Sequence, residues 1–348
     1  MASPHPALAR LAPADGRLTL GLELPLDNDW GPARRRTDHA VGSPFGVPDL
    51  TGHTRLAQLA DRLGFAALWL RDVPLYDPAQ FGDAGSVFET FTHLGHLAAI
   101  TDNVVLGTGA VVLPLREPLL VAKAAATVDV LSGGRMLLGL ASGDRPVEYP
   151  LFERDFQTRG TEFREGVETL RAAWRDGPLE LPRVGLGADR QLEVLPRPVH
   201  TTGIPIAVAG GAQQTPEWIA EHADASLNYP RELGALRLKI REWRQRTEDG
   251  GKPYLTPMVL ALQDDADAPA RPIRLGLSTG RKALVDHLEM MARLGVAHVS
   301  FNLRPNDRPI DEVLHELAED VLPYFPTPPA APADFGGRLE ATVRKQRG

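Results

Sequence analysis

Short apolar runs recur along this chain, each followed by room for one helix. Leu18–Leu24 opens the series, and Ala66–Leu70, Val104–Val112 and Met136–Ala141 continue it. Ile204–Val208, Ala225–Leu227, Thr256–Leu262 and His298–Phe301 complete it. Val104–Val112 reads VVLGTGAVV, apolar on both faces, as a parallel strand buried between two layers should be. Between the runs, apolar residues return at helical spacing: Leu56, Leu59, Ala60 and Leu63, with Gly64 as the stop; then Phe163, Val167, Leu170 and Trp174. Leu284, Leu288 and Met291 mark a helix opening near Ser278, and Ile310, Val313, Leu314, Leu317 and Val321 mark the last one. Further helices are expected over Val87–Ile100, from Pro118 to Ser132, from Pro216, and over Ala235–Arg246. Eight strands alternating with eight helices predict a parallel α/β barrel, the (β/α)8 or TIM barrel. The competing architecture is an open doubly wound sheet. No GxGxxG follows the first strand, which argues against a dinucleotide fold of that kind.

Four stretches fall outside this rhythm. Met1–Asp15 reads as a loose lead-in, and a long polar loop follows the first strand with Trp30, Arg34-Arg35-Arg36 and His39. Asp176–Gly203 is irregular, but the strand–helix alternation resumes after it, so it is an excursion and not a linker. After Pro323 the chain turns Pro- and Ala-rich. One domain is expected over residues 1–348, with a core of about 16–325.

Composition narrows the function. The 348 residues are 43% hydrophobic and 24% charged, values of a globular protein. A net charge of -7, with no Lys/Arg run that would form a basic surface, offers nothing for nucleic acid. With no cysteine there is no disulfide, thiolate or iron–sulfur chemistry. The first residues lack the apolar core of a signal peptide, and no apolar run is long enough to span a bilayer. A cytoplasmic protein without membrane contact is the expectation.

In a parallel barrel the active site lies at the C-terminal ends of the strands. The fifth strand ends in Ala209-Gly210-Gly211-Ala212, then Thr215 as a helix cap, Pro216 at the first helical position and Glu217. Such a turn bares main-chain N–H groups and can hold an anion or phosphate, with Gln213 or Thr215 as added donors; it also suits an ordinary tight turn. Ser142-Gly143 ends the fourth strand, and Thr108-Gly109-Ala110 lies within the third, where Gly109 reads as a plain buried strand glycine. Arg71 and Asp72 end the second, as site residues or as an ion pair with each other on the rim. His39 is a candidate acid/base group or a solvated loop residue. Asn228, Asn302 and Arg304 end strands six and eight, to touch a ligand or to hydrate the rim. Arg116 would close the pocket or bridge to a partner subunit, and Arg135 would cap the preceding helix. Trp30, Phe45 and Tyr76 would wall the substrate or serve dimer contacts. Metal chemistry has little support: HxH and HExxH are missing, and His93 and His96 sit on an outer helix. GxSxG is missing too.

Four segments carry a family resemblance: Leu106–Gly143, Leu195–Ala225, Phe163–Trp174, and the late helix with LGVAHVSFNL. Together they resemble the bacterial-luciferase-like flavin-dependent oxidoreductases and monooxygenases over nearly the whole chain. The resemblance implies a barrel that binds reduced FMN or the deazaflavin F420, and that usually dimerises. It places Thr108, Gly109 and Ala110 behind the flavin ring, often with a non-proline cis peptide there. It places Ser142 and Gly143 against the ribityl chain or phosphate, and Ala209, Gly210, Gly211 and Ala212 at the phosphate. The second strand departs from the pattern: light-emitting members and many monooxygenases end it in a Glu-His-His-like stretch, and here Arg71-Asp72-Val73 stands in its place. The function implied is a two-component monooxygenase using reduced FMN from a separate reductase, dioxygen and a small-molecule substrate, since no NAD(P)H fingerprint is visible. Alternatives are an F420-dependent reductase or dehydrogenase served by Arg34–Arg36, a non-catalytic flavin-binding protein, and a flavin-free barrel acting on a sugar phosphate.

Overall fold

The structure is a computed structural model that describes residues 5–42, 46–77, 88–181, 191–247 and 251–329. Eight parallel strands close into a barrel: β1 (Thr19–Glu23), β2 (Ala67–Leu70), β3 (Val105–Thr108), β4 (Met136–Ala141), β5 (Ile206–Ala209), β6 (Ala225–Leu227), β7 (Tyr254–Leu262) and β8 (His298–Asn302). Each pairs in parallel with the next, and β8 closes the ring by pairing with both β7 and β1. The two-residue strand Val111–Val112 continues β3 beyond an interruption and pairs with β4. A short hairpin, Arg271–Ile273 with Gly276–Thr279, extends the edge of β7. It occupies Ser278, so the helix expected there starts three residues later.

Ten helices of the described residues surround this ring: α1 (Pro6–Leu11), α2 (Pro32–Val41), α3 (His53–Leu63), α4 (Thr90–Ile100), α5 (Pro118–Leu131), α6 (Arg159–Trp174), α7 (Pro216–His222), α8 (Leu233–Arg246), α9 (Arg281–Leu294) and α10 (Ile310–Asp320). Helices α3 to α10 are the eight of the repeat. Their starts follow local chemistry. Thr215 accepts a hydrogen bond from the Trp218 N–H at 3.2 Å and Pro216 opens α7, while α3 stops at Gly64 with φ 92°.

Two helices correct the sequence reading. The polar loop after β1 contains α2, which carries the arginine triplet and His39 and buries no residue. Helical spacing of apolar residues, the main signal for a helix, is missing from it. The lead-in contains α1, which buries Ala7 and Leu11. These two pack with Ala66, Ala67, Trp69, Val105, Leu137, Ala207, Ala225, Leu227 and Leu255, so α1 plugs the N-terminal end of the barrel. The larger cluster fills the annulus between strands and helices, with Leu20, Leu22, Leu68, Leu106, Leu138 and Phe301 facing outward into it. Period-two alternation thus divides each strand between two cores.

Inside the barrel a large ring sits against residues without side chains. An added Cβ at Gly107 would stand 2.6 Å from the Trp69 ring, and one at Gly21 would stand 2.8 Å from His298. Trp69 Nε1–H donates to His298 Nε2 at 3.0 Å, and His298 Nδ1 lies 2.8 Å from Thr19 Oγ1. Thr19 Oγ1–H donates in turn to the Leu11 carbonyl at 2.8 Å. The donor direction makes His298 neutral with its proton on Nδ1, and burial pulls its pKa down to about 3. This chain of hydrogen bonds ties the plug helix to the barrel wall.

Candidate functional site

The C-terminal ends of β3, β4 and β5 are neighbours on one face of the barrel, because adjacent parallel strands end on the same side. Strand interiors are buried there, and partial exposure begins at the rim, at Gly109, Ala110, Ala141, Ala209, Gly210 and Gly211. All of these are Gly or Ala, so the rim presents backbone with almost no side chain over it. The glycines below it are required by close approach: a Cβ at Gly139 would stand 1.8 Å from the Thr108 carbonyl oxygen. Thr108 Oγ1 bridges β3 to β4 through the Gly139 carbonyl and N–H, both at 2.8 Å.

Between Thr108 and Val111 the third strand leaves the sheet, and the Gly109–Ala110 peptide is cis, where the resemblance places it. Beside it, Gly143 has φ 80°, and a Cβ there would meet the Tyr149 hydroxyl at 2.6 Å and Val112 at 2.7 Å. Tyr149 donates its hydroxyl to the Ser142 carbonyl, and burial pushes its pKa up to about 12. The loop after β4 therefore folds back on the rim.

The turn after β5 has positive φ at Gly210 (61°), Ala212 (42°) and Gln213 (58°). Alternation of right- and left-handed backbone turns consecutive N–H groups to one side. The Gly210 N–H goes to the Leu227 carbonyl and the Gln214 N–H to Gly211. Gln214 fixes the turn from outside: its amide donates to the Gly160 carbonyl at 2.7 Å, and its oxygen accepts from Arg164. Gln214 had no role in the sequence reading, since its function depends on α6 lying beside the turn.

The polar candidates separate. Alternation from Thr19 through Gly21, whose Cβ position faces His298, brings Glu23 to the inner face of the mouth. Arg71, two residues beyond the inward Trp69, pairs with it at 3.6 Å. The period-two pattern of the first strand was the signal that could have found Glu23. Asp72 does not pair with Arg71. It pairs with Arg116 through two hydrogen bonds, Arg116 Nε to Oδ2 at 2.9 Å and Nη2 to Oδ1 at 2.7 Å. Successive residues point to opposite sides, which sends Arg71 inward and Asp72 outward. Burial alone would lower the Arg116 pKa; Asp72 and Glu89 outweigh it and hold it raised. His39 is exposed in the last turn of α2.

Arg304 and Asn302 are not rim hydration. Arg304 and Asp29 are each 1% exposed in their side chains and form a two-point ion pair, with Arg304 Nε donating to Asp29 Oδ1 at 2.6 Å. The guanidinium stacks 4.2 Å from the Trp30 ring centroid, which takes Trp30 into this cluster. Burial raises the Asp29 pKa more than Arg304 lowers it. The pair buckles the β1 loop to the β8 loop, a contact of residues 275 apart that no local pattern reveals. Asn302 accepts from the Arg304 N–H, and Asn228 donates to Ser226 Oγ at 2.6 Å. Arg135 caps two helices, donating to Ser132 O at 2.8 Å and Thr101 O at 2.7 Å. Tyr76 is 39% exposed, and Phe45 lies outside the described residues.

Helix α4 packs on α3 through His93 and His53, whose Nε2 atoms are 2.6 Å apart, and burial with the neighbouring histidines pulls His93 down to about 3. Two neutral rings sharing one hydrogen bond explain the pair as core packing. Among the described residues, no group of three or more His, Asp or Glu is placed to hold a metal ion, and no helix is long and apolar enough to cross a membrane.

Comparison with known proteins places this geometry. The model of the luciferase-like monooxygenase family matches residues 31–298. The pyrimidine monooxygenase RutA of Acinetobacter baylyi is 27% identical over 245 residues, which is 66% of this chain and 64% of that protein. The oxygenase component of the flavin-dependent trigonelline monooxygenase of the same organism is 33% identical over 122 residues, 34% of this chain and 32% of that one. The matched stretches thus span less than two thirds of either relative. The F420-dependent tetrahydromethanopterin reductase of Methanopyrus kandleri shares the fold, with a TM-score of 0.65 at 17% identity over 89% of this chain and 99% of that one. With the family model covering most of its length and the barrel closed as that family requires, the chain belongs to the luciferase-like monooxygenases.

Proposed function

We propose that this chain is the oxygenase component of a two-component flavin-dependent monooxygenase. It would take reduced FMN from a separate reductase in the cytoplasm and use dioxygen to oxidise a small organic substrate. The observation that carries this reading is the contiguous Gly/Ala rim of β3, β4 and β5. A planar ring needs a surface without protruding side chains, which Gly109 and Ala110 would supply with Thr108 buried behind them. A phosphate needs clustered donors, and the main-chain amides of Gly211, Ala212 and Gln213 in the turn that begins at Ala209 would supply them without a lysine. Ser142 and Gly143, between those two places, suit the polar ribityl chain. When bound, reduced FMN supplies the electrons that activate dioxygen.

The protein's own share is binding, orientation and exclusion of water. Arg71, held by Glu23 at the inner mouth, is the charged group best placed to orient a polar substrate. His39 would meet only a substrate that reaches α2. Exposed Leu120 and Leu131 on α5 favour a homodimer, which light scattering would test. A second reading, an F420-dependent reductase, draws on one observation. Arg35 and Arg36 are exposed on α2, whose Ala33 N–H donates to Asp307 beside the end of β8, so two cations stand at the C-terminal face.

Parallel absorbance titrations with FMN and F420 decide between them. We expect tighter FMN binding, and oxygen uptake with reduced FMN that increases when a substrate is present. Tighter F420 binding would overturn the cofactor, and binding of neither would overturn the flavin reading.

A further inference from the structure

We propose that Asp72 and Arg116 are the positioning pair that sets the shape of the third-strand interruption, and so of the surface offered to a planar ring. The proposal rests on the flavin reading above. Two amides flanking the interruption are held from the end of β2. The Gly109 N–H donates to the Leu70 carbonyl at 2.6 Å, and the Val112 N–H donates to Asp72 Oδ2 at 3.2 Å. The chain then makes one turn of 3-10 helix, Leu113–Leu115, and Arg116 returns to the same carboxylate. Segment 109–116 is therefore closed on itself, with Asp72 as the clasp.

The clasp is saturated. Asp72 Oδ1 accepts from Arg116 Nη2 at 2.7 Å and from the Thr90 hydroxyl at 3.0 Å; Oδ2 accepts from Arg116 Nε at 2.9 Å and from Val112. Its side chain is 5% exposed. Four donors fill a carboxylate's acceptor sites, which leaves none for taking a proton from a ligand. Asp72 is then a positioning residue, although its place at a strand end resembles that of an acid/base group. On the far side Arg116 Nη1 meets Glu89 at 3.1 Å, and the guanidinium lies 5.5 Å from the Phe91 centroid. Thus α4, β2 and the interruption meet at one planar fork, whose two-point geometry a single-point cation cannot reproduce.

The test compares Asp72→Asn, Arg116→Ala and Arg116→Lys with the full-length parent. The readouts are oxidised-FMN affinity, the absorbance band of bound flavin, hydrogen exchange over 105–116 and thermal midpoint. Asp72→Asn and Arg116→Ala should weaken FMN roughly tenfold or more, shift the band and raise exchange in that segment. Arg116→Lys, the mildest change and the one surest to fold, should recover part of the affinity. Lower midpoints with unchanged affinity and band would make the pair a purely structural tie and overturn the proposal. A parent chain that binds no flavin would defeat the flavin reading and the pair's role together, so the two failures are told apart by the parent alone.

Discussion

Buried titratable residues show how position, and not residue type, sets a group's work in this barrel. Asp129 lies on α5 with no exposed surface, accepts the Val199 N–H at 2.8 Å, and leaves Oδ1 without a partner. Burial pushes its pKa up to about 6 against the hydrogen bond from Val199. The folded state therefore holds this proton more tightly than the unfolded state does. The contribution is fully present below the unfolded value of 3.8 and is lost as pH rises through about 6. Asp129→Asn keeps an acceptor for Val199 and removes the titration. Relative to the parent, its stability should improve by about 1–2 kcal/mol between pH 4.5 and pH 7.5. Urea midpoints at the two pH values check this; a constant difference would contradict it. The sequence showed an Asp near a helix end, but its burial comes from the loop around Val199, 70 residues away.

At the scale of elements, glycines decide how closely strands approach. A Cβ at Gly139 would lie 1.8 Å from the Thr108 carbonyl, backbone that cannot move without parting β3 from β4. Gly139→Ala should cost at least about 1–3 kcal/mol, the range for overpacked cores, and reduce FMN affinity with stability. Gly211 differs: nothing lies within 4 Å of its Cβ position, and its φ is not positive. Gly211→Ala should melt like the parent, within about 0.5–1 kcal/mol. Thermal melts of both variants check the contrast, and a shared loss would refute it. The fourth apolar run contains Gly139 and the turn after the fifth contains Gly211, and the resemblance drew attention to Gly109 and Gly211. Neither the pattern nor the resemblance distinguished a glycine that separates strands from one that merely keeps a turn open, because that distinction is a distance across the sheet.

For the whole molecule, α1 closes the N-terminal end of the barrel, and the candidate site lies at the opposite end. Ala7 and Leu11 fill the bottom, and the Leu11 carbonyl ends the hydrogen-bond chain from Trp69 through His298 and Thr19. Removing residues 1–12 should therefore lower stability by about 2–4 kcal/mol, from lost apolar burial and the lost Thr19–Leu11 hydrogen bond. Calorimetry of the truncated chain checks it; an unchanged midpoint would mean the plug contributes nothing. Periodicity and spacing in the sequence determined the eight strands, the helices of the repeat, the barrel and the glycine-bearing rims. Those depend on local alternation and on chain lengths between elements, which any linear reading can count. Tertiary structure alone decided the partners: Asp72 with Arg116, Arg304 with Asp29, Glu23 at the inner mouth, and a plug in the lead-in. Ion pairs and interior packing join residues far apart in the chain, so their identity follows from how the ring of strands closes.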